Sequence, residues 1–350
     1  MSWEENVRRV DPYVPGEQPK CDNVIKLNTN ECPYPPAPGV VEAARMLEAE
    51  RLRLYPDTDT TKIVNALAKY YQVKPEQVFV GVGSDDVLSM VFLTFFHSKK
   101  PVLFPDITYS FYDVWAKLYD IPYECVPLDE NFCIRKEDYY RPNGGIVIAN
   151  PNAPTGVFAP LSEIEDIVRH NPDSVVVVDE AYVDFGAESA LPLLDKYDNL
   201  LIVQTFSKSR AMAGARIGFA VGSEQMIRYM NDVKFSVNSY TMSFPVQEIG
   251  AAAVEDDAYF KEIVGKMIQT REWTKKELTE LGFIFPDSYT NFIFASHRTK
   301  PAEEIFTYLK SRNIFVRHFK KPRIDNYLRI SIGTDEQMRI LINTLKECLC

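Results

Sequence analysis

The chain has 350 residues, more than one ordinary hydrophobic core accommodates, so one large and one small domain are expected. It is 46% hydrophobic and 25% charged, the balance of a globular protein, with a formal net charge of −10. No run of lysines or arginines exceeds two, no apolar stretch reaches the ~18 residues that span a bilayer, and the first nine residues lack an apolar signal core; nucleic-acid and membrane partners are therefore not expected, and the cytoplasm is the expected location.

Seven prolines between Pro12 and Pro38 read as an extended arm. Helices are predicted at 40–51 and at 59–71, the second with Ile63, Leu67 and Tyr70 on one face. Strands and helices then alternate: a strand at 78–80, a helix at 85–96 opened by Ser84, a strand at 102–104, a helix at 108–119 and a strand at 123–126. A strand at 145–149, a helix at 161–170 and strands at 174–178, 200–203 and 217–221 follow. The runs near 146, 175 and 200 are apolar throughout, which suits strands buried on both faces of a mainly parallel sheet between helix layers.

The texture changes after about 230. Charged helices fill 244–281 with a break near 256, followed by a strand at 291–294, a helix at 301–311, strands at 314–317 and 326–332, and a terminal helix from 335. This predicts a smaller α+β domain, against which the N-terminal arm packs. The expected division is a large domain at 30–231 and a small one made of 1–29 with 232–350.

Six cysteines, Cys21, Cys32, Cys125, Cys133, Cys348 and Cys350, form no Cys-x-x-Cys pair and are expected as free thiols. The four histidines stand far apart, so no metal site is expected.

Four motifs follow strands. Val80-Gly-Val-Gly-Ser-Asp-Asp86 reads either as an anion site made by free N–H groups or as a tight turn with Ser84 as N-cap. It lacks the third glycine of the dinucleotide fingerprint and the Lys-Ser or Lys-Thr of a P-loop. Asn150-Pro-Asn-Ala-Pro-Thr-Gly156 is a rigid turn at the carboxyl end of a strand, where open parallel sheets bind ligands; Asn152 is its candidate donor. Val175-Val-Val-Val-Asp-Glu-Ala-Tyr182 sets Asp179 against apolar walls, where a carboxylate needs a partner, with Tyr182 within reach. Gln204-Thr-Phe-Ser-Lys-Ser-Arg210 puts Lys208 at the end of a buried strand. A lysine there is a surface residue, or a desolvated nucleophile for an aldehyde. Arg216, after Ala213-Gly-Ala215, suits a phosphate. Arg210 is left between a solvated position and one facing a partner subunit. Together these residues match the needs of pyridoxal 5'-phosphate: a lysine, an acid for the ring nitrogen, a phosphate cradle and an aromatic face.

In order and spacing the set resembles the fold-type I pyridoxal-phosphate aminotransferases along nearly the whole chain. A finer match, carried by Asp11-Pro-Tyr-Val-Pro-Gly16, Leu27-Asn-Thr-Asn-Glu31, Tyr55-Pro-Asp57 and Leu328-Arg-Ile-Ser-Ile-Gly-Thr334, is to members acting on histidinol phosphate. The resemblance implies a three-layer pyridoxal-phosphate-dependent transferase fold. It also implies transamination of histidinol phosphate with 2-oxoglutarate, giving imidazole-acetol phosphate and glutamate in histidine biosynthesis. Aromatic amino acid transamination and phosphothreonine decarboxylation are the alternatives on the same fold. By the same resemblance, Lys208 would take the cofactor aldehyde and Asp179 the pyridine nitrogen. Asn152 and Tyr182 would bind the ring hydroxyl, and Tyr109 would stack on the ring. Ser84, Asp85, Ser207 and Arg216 would hold the phosphate, joined by Tyr55 from the partner of a homodimer. Arg329, with Tyr13, Asn30 and Arg317, would bind the substrate's anionic end. Asp86, Ala153, Cys32 and Ser110 depart from the commoner residues of that pattern.

Overall fold

The structure is a computed structural model that describes residues 2–20 and 23–349. Cys21 and Cys350 lie outside the described residues; Cys32, Cys125, Cys133 and Cys348 are free thiols.

The arm carries β1 (Ile25–Lys26). Beyond it, β2 (Val78–Gly81), β3 (Val102–Pro105), β4 (Tyr123–Val126), β5 (Gly145–Ala149), β6 (Val176–Asp179), β7 (Leu200–Thr205) and β8 (Gly218–Val221) form one sheet. Its order is β2-β8-β7-β6-β5-β3-β4. β3 to β7 run parallel, and β8 is antiparallel to both its neighbours. Every residue of β5, β6 and β7 is buried, which is why their sequences run apolar without alternation.

Successive side chains point to opposite faces. Val147, Val177, Leu201 and Val203 pack with α3 (Ser84–Phe95), α4 (Tyr112–Leu118) and α6 (Glu224–Val237) on one side. Ile146, Ile148, Val176, Val178, Leu200 and Ile202 face α5 (Leu161–His170) on the other. On that second side Val78, Val80, Phe219 and Val221 meet α2 (Thr61–Tyr71) and α7 (Phe244–Glu255). Helices therefore cover both faces, as the sequence predicts.

The smaller unit begins with α8 (Asp257–Glu280), after a break at Asp256. β9 (Phe283–Ile284), β10 (Phe292–His297), β12 (Arg317–His318) and β13 (Leu328–Ser331) make an antiparallel sheet in the order β12-β13-β10-β9. α9 (Ala302–Ser311) and α10 (Asp335–Leu349) cover it. β11 (Ile314–Phe315) pairs in parallel with β1, so the arm docks here and Leu27 enters the small core.

Several elements differ from expectation, and the short strands β1 and β9 have no predicted counterpart. The helix predicted at 40–51 is α1 (Pro38–Arg45), followed by a 3-10 turn at Ala49–Arg53. Residues 46–54 bury almost nothing, and a short helix without a packed face does not persist. The strand predicted at 314–317 divides into β11 and β12, which pair with different partners. α6 has no predicted counterpart. Its signals are Ser223, which caps the Met226 N–H, and the spacing of Met226, Ile227 and Met230 on the buried face.

Candidate active site

β5, β6 and β7 end side by side, and the turns that leave them carry the Asn150 turn, Asp179 to Tyr182, and Ser207 with Lys208. A crevice outside the carboxyl ends of parallel strands is the usual ligand position. A cavity of about 160 Å³ lies there, bordered by Ser84, Asp85, Tyr109, Asp179, Tyr182, Ser207, Lys208 and Arg216. It adjoins a second cavity of about 490 Å³, bordered by Tyr13, Asn30, Arg317 and Arg329 and sharing Tyr109, Tyr182 and Lys208.

Lys208 is half-buried. Its Nζ donates to the Thr29 carbonyl at 3.3 Å and lies 5.8 Å from the centre of the Tyr182 ring. Asp179 is buried at the end of β6. Burial pushes its carboxyl up to about 6, against the opposing hydrogen bonds from the Tyr112 hydroxyl at 2.7 Å and the Ala181 N–H at 3.2 Å. A carboxylate so placed is short of a cation.

At the other end of the smaller cavity, Gly83 (φ 87°) is the N-cap of α3, and Ser84 is the first helical residue. This corrects the reading of Ser84 as the cap. Gly83 is required twice over: its φ is in the left-handed region, and a Cβ would collide with the Arg216 guanidinium. Arg216 pairs with Asp85 Oδ2 at 3.0 Å and reaches Ser207 Oγ at 3.4 Å, and Tyr109 donates to Asp85 Oδ1 at 2.6 Å. A helix N-terminus, a hydroxyl and a guanidinium thus converge where no side chain fills the space, which is the donor set a phosphate takes.

In the larger cavity Arg329 is half-buried. It donates to the Asn28 carbonyl at 2.9 Å, while its Nε has no partner. Asn30 (φ 56°) is held by Ser331 and donates to the Tyr182 hydroxyl at 2.9 Å. Tyr13 stacks on Phe111 at 4.1 Å.

Residues 22–345 match the family described as aminotransferase class I and II. The chain belongs to this aminotransferase family. It is 51% identical to the histidinol-phosphate aminotransferase of Lactococcus lactis subsp. cremoris (strain MG1363), over 100% of this chain and 98% of that one. It is 50% identical to the histidinol-phosphate aminotransferase of Clostridium acetobutylicum, over 99% of each. A solved putative histidinol-phosphate aminotransferase from Erwinia carotovora atroseptica superposes with a TM-score of 0.85 at 26% identity, covering 93% of this chain and 96% of that one. The Sinorhizobium meliloti histidinol-phosphate aminotransferase, solved in complex with pyridoxal 5'-phosphate, has the same fold (TM-score 0.85, 24% identity, 93% and 90% covered).

The structure gathers most of the sequence-predicted site residues around the two cavities, with two exceptions. Asn152 is buried with both amide hydrogens committed, to Ile107 O at 2.9 Å and Thr155 Oγ1 at 3.0 Å, and its oxygen accepts from Thr108. Tyr55 is 81% exposed, stacks on Tyr240 at 4.4 Å and borders neither cavity. Arg210 corrects both of its readings. It is buried, donates to Ala253 O at 2.8 Å and lies 4.2 Å from the Phe260 ring centre, in a slot that Tyr70 of α2 and Phe206 complete.

Tyr112, Thr29 and Ser331 escape sequence reasoning. Each acts through a partner distant in the chain. Only the three-residue spacing from Tyr109 to Tyr112, one helical turn, hints that both serve one site.

No described helix is long and apolar enough to cross a membrane.

Proposed function

We propose that this chain is a pyridoxal 5'-phosphate-dependent aminotransferase that converts histidinol phosphate and 2-oxoglutarate to imidazole-acetol phosphate and glutamate, in histidine biosynthesis. The observation that carries it is the meeting of Lys208, buried Asp179 and Arg216 around one small cavity, adjoining a second one that Arg329 borders. Identity of 50% or more along the whole chain to histidinol-phosphate aminotransferases supports the substrate.

When bound, the cofactor supplies an aldehyde for amino groups and a ring that accepts electrons released at the substrate Cα. Lys208 Nζ is the amine for that aldehyde, and afterwards the base that moves the Cα proton. The Asp179 carboxylate keeps a proton on the ring nitrogen, which supplies the cation this buried group is short of. The Tyr182 hydroxyl binds the ring hydroxyl, and Tyr109 covers the ring face. Asn152 joins Tyr182 by releasing one of its present acceptors. Ser84, Asp85 and Ser207 hold the phosphate together with Arg216, which leaves Asp85 to do so.

Arg329 and Arg317, with Tyr13 and Asn30, bind the substrate's anionic end. These local cations outweigh the net charge of −10 that an anionic substrate would otherwise meet. The proposed large domain, 30–231 extended through α7, which packs on its sheet, holds the cofactor residues, and 1–29 with the unit from α8 onward holds most substrate residues. The enzyme is a cytoplasmic homodimer. Exposed Tyr55 reaches the cofactor phosphate of the partner, which accounts for its distance from the cavities of its own protomer.

The test is turnover. Purified protein with histidinol phosphate and 2-oxoglutarate should form glutamate, faster than with phenylalanine or tyrosine and with no CO₂ released from phosphothreonine. Silence on histidinol phosphate beside good turnover of an aromatic amino acid would sink the substrate assignment.

A further inference from the structure

The rim of the larger cavity contains a contact that none of these roles uses. Residues 319–327, between β12 and β13, form two consecutive turns, closed by Ile324 N–H to Lys321 O at 3.2 Å and Tyr327 N–H to Ile324 O at 3.2 Å. Arg323, at their centre, has φ 69°. A non-glycine residue is strained there and persists only where its contacts outweigh the strain.

Those contacts all lie on the large domain. Arg323 Nη1 donates to Asp106 Oδ2 at 3.0 Å, and Nη2 donates to Leu128 O at 3.0 Å and Asp129 O at 2.6 Å. Both partners of the ion pair are exposed residues, so its charge attraction alone is weak. The two carbonyl acceptors make it directional, a geometry that suits a guanidinium fork and not an ammonium. Next to it, Ile324 inserts between Ile107, Leu128 and Phe132 of the large domain and Phe294 of the small one.

The far side of this clasp leads to the cofactor residues. Asp106 also accepts from the Leu128 N–H at 2.9 Å, fixing its carboxylate. It is followed by Ile107 and Thr108, both bonded to Asn152, and then by Tyr109. The near side leads through the turns to Arg329 on β13 and Arg317 on β12.

We propose that Arg323 is a positioning residue. It fastens the small-domain loop to Asp106 and so sets the spacing between the substrate-binding arginines and the Tyr109 segment. This deepens the proposed function and rests on it for the substrate used. Arg323 does not touch the reacting atoms, so its loss should act on substrate binding.

The test compares cofactor-loaded wild type with Arg323→Ala, Arg323→Lys and Asp106→Asn. For Arg323→Ala the KM for histidinol phosphate should rise roughly tenfold while kcat stays within about threefold, the signature of binding lost equally from ground and transition states. Arg323→Lys should recover only part of the KM. Asp106→Asn combined with Arg323→Ala should be no worse than Arg323→Ala alone. Hydrogen exchange at the Ile324 and Tyr327 amides should speed up roughly tenfold, with β6 unchanged. An unchanged KM, a kcat that falls together with the melting temperature, additive effects, or unaltered exchange at those two amides would overturn the proposal. If wild type fails to use histidinol phosphate, the substrate reading falls, and the exchange measurement still decides the clasp.

Discussion

The Tyr112 hydroxyl and Asp179 Oδ2 are 2.7 Å apart, the first on a helix of one layer and the second at the end of a central strand. The tyrosine supplies one of two hydrogen bonds to a buried carboxylate whose folded-state pKa is about 6, above the ordinary 3.8. With a folded pKa raised above the unfolded one, stability is highest below the unfolded value and falls as pH rises through the folded one. In protein stripped of cofactor, Asp179 should therefore cost on the order of 3 kcal/mol at pH 7 relative to pH 3.5. Asp179→Asn should flatten that pH dependence between about 4 and 6. Tyr112→Phe should steepen it, since the charged form loses a donor. Denaturant melts across that range check both, and identical slopes in all three proteins would contradict the assignment.

Arg210 is the second case where burial decides. Its guanidinium has Ala253 O as acceptor and the faces of Phe260, Tyr70 and Phe206 around it. Nearby Asp184 is half-buried with its carboxyl raised by desolvation, and the Ser209 hydroxyl and then the arginine oppose that rise. Arg210→Ala removes the stacked cation and leaves the acid without it, which should cost about 2–4 kcal/mol of stability. A chemical melt reads this directly. A loss below about 0.5 kcal/mol would mean that the slot refills or hydrates.

These two residues also mark what the sequence reveals. β5, β6 and β7 are legible because burial on both faces writes an unbroken apolar run, and the turn after β5 is legible because its asparagines, prolines and glycine are confined to few conformations. The Tyr112–Asp179 bond joins residues 67 apart in sequence, and nothing near either one announces the other. Arg210 misleads because arginine is usually solvated, and beside Phe206 its slot is built by Tyr70 of α2, Ala253 of α7 and Phe260 of α8, all distant in the chain. β1 is two residues long and owes its strand to β11, so a proline-rich arm gave no local sign of it.

Arg329 is half-buried with a buried, unpartnered Nε, and desolvation lowers its affinity for its proton. A half-buried guanidinium with spare donors favours an anionic ligand that takes two of them at once. Arg329→Ala should raise the KM for histidinol phosphate and for glutamate by roughly ten- to a hundredfold. Arg329→Lys should recover little, because an ammonium lacks the planar fork. Steady-state kinetics with both substrates check this; a KM effect confined to one of them would restrict the residue to that ligand.

Tyr55 and Lys208 give a test of the proposed dimer that needs no structure of it. Tyr55→Phe keeps the stack on Tyr240 and removes only the hydroxyl, so cofactor retention should weaken while the fold stands. Lys208→Ala should lose the visible absorbance of the loaded enzyme and at least about a thousandfold in turnover. If Tyr55 serves the partner's site, a mixed dimer holds one site with both defects and one with neither. Co-refolding equal amounts of the two variants at limiting cofactor should then restore about a quarter of wild-type activity, since random pairing makes half the dimers mixed and each has one intact site. If Tyr55 acted within its own protomer, every site in the mixture would keep one defect and no activity would return.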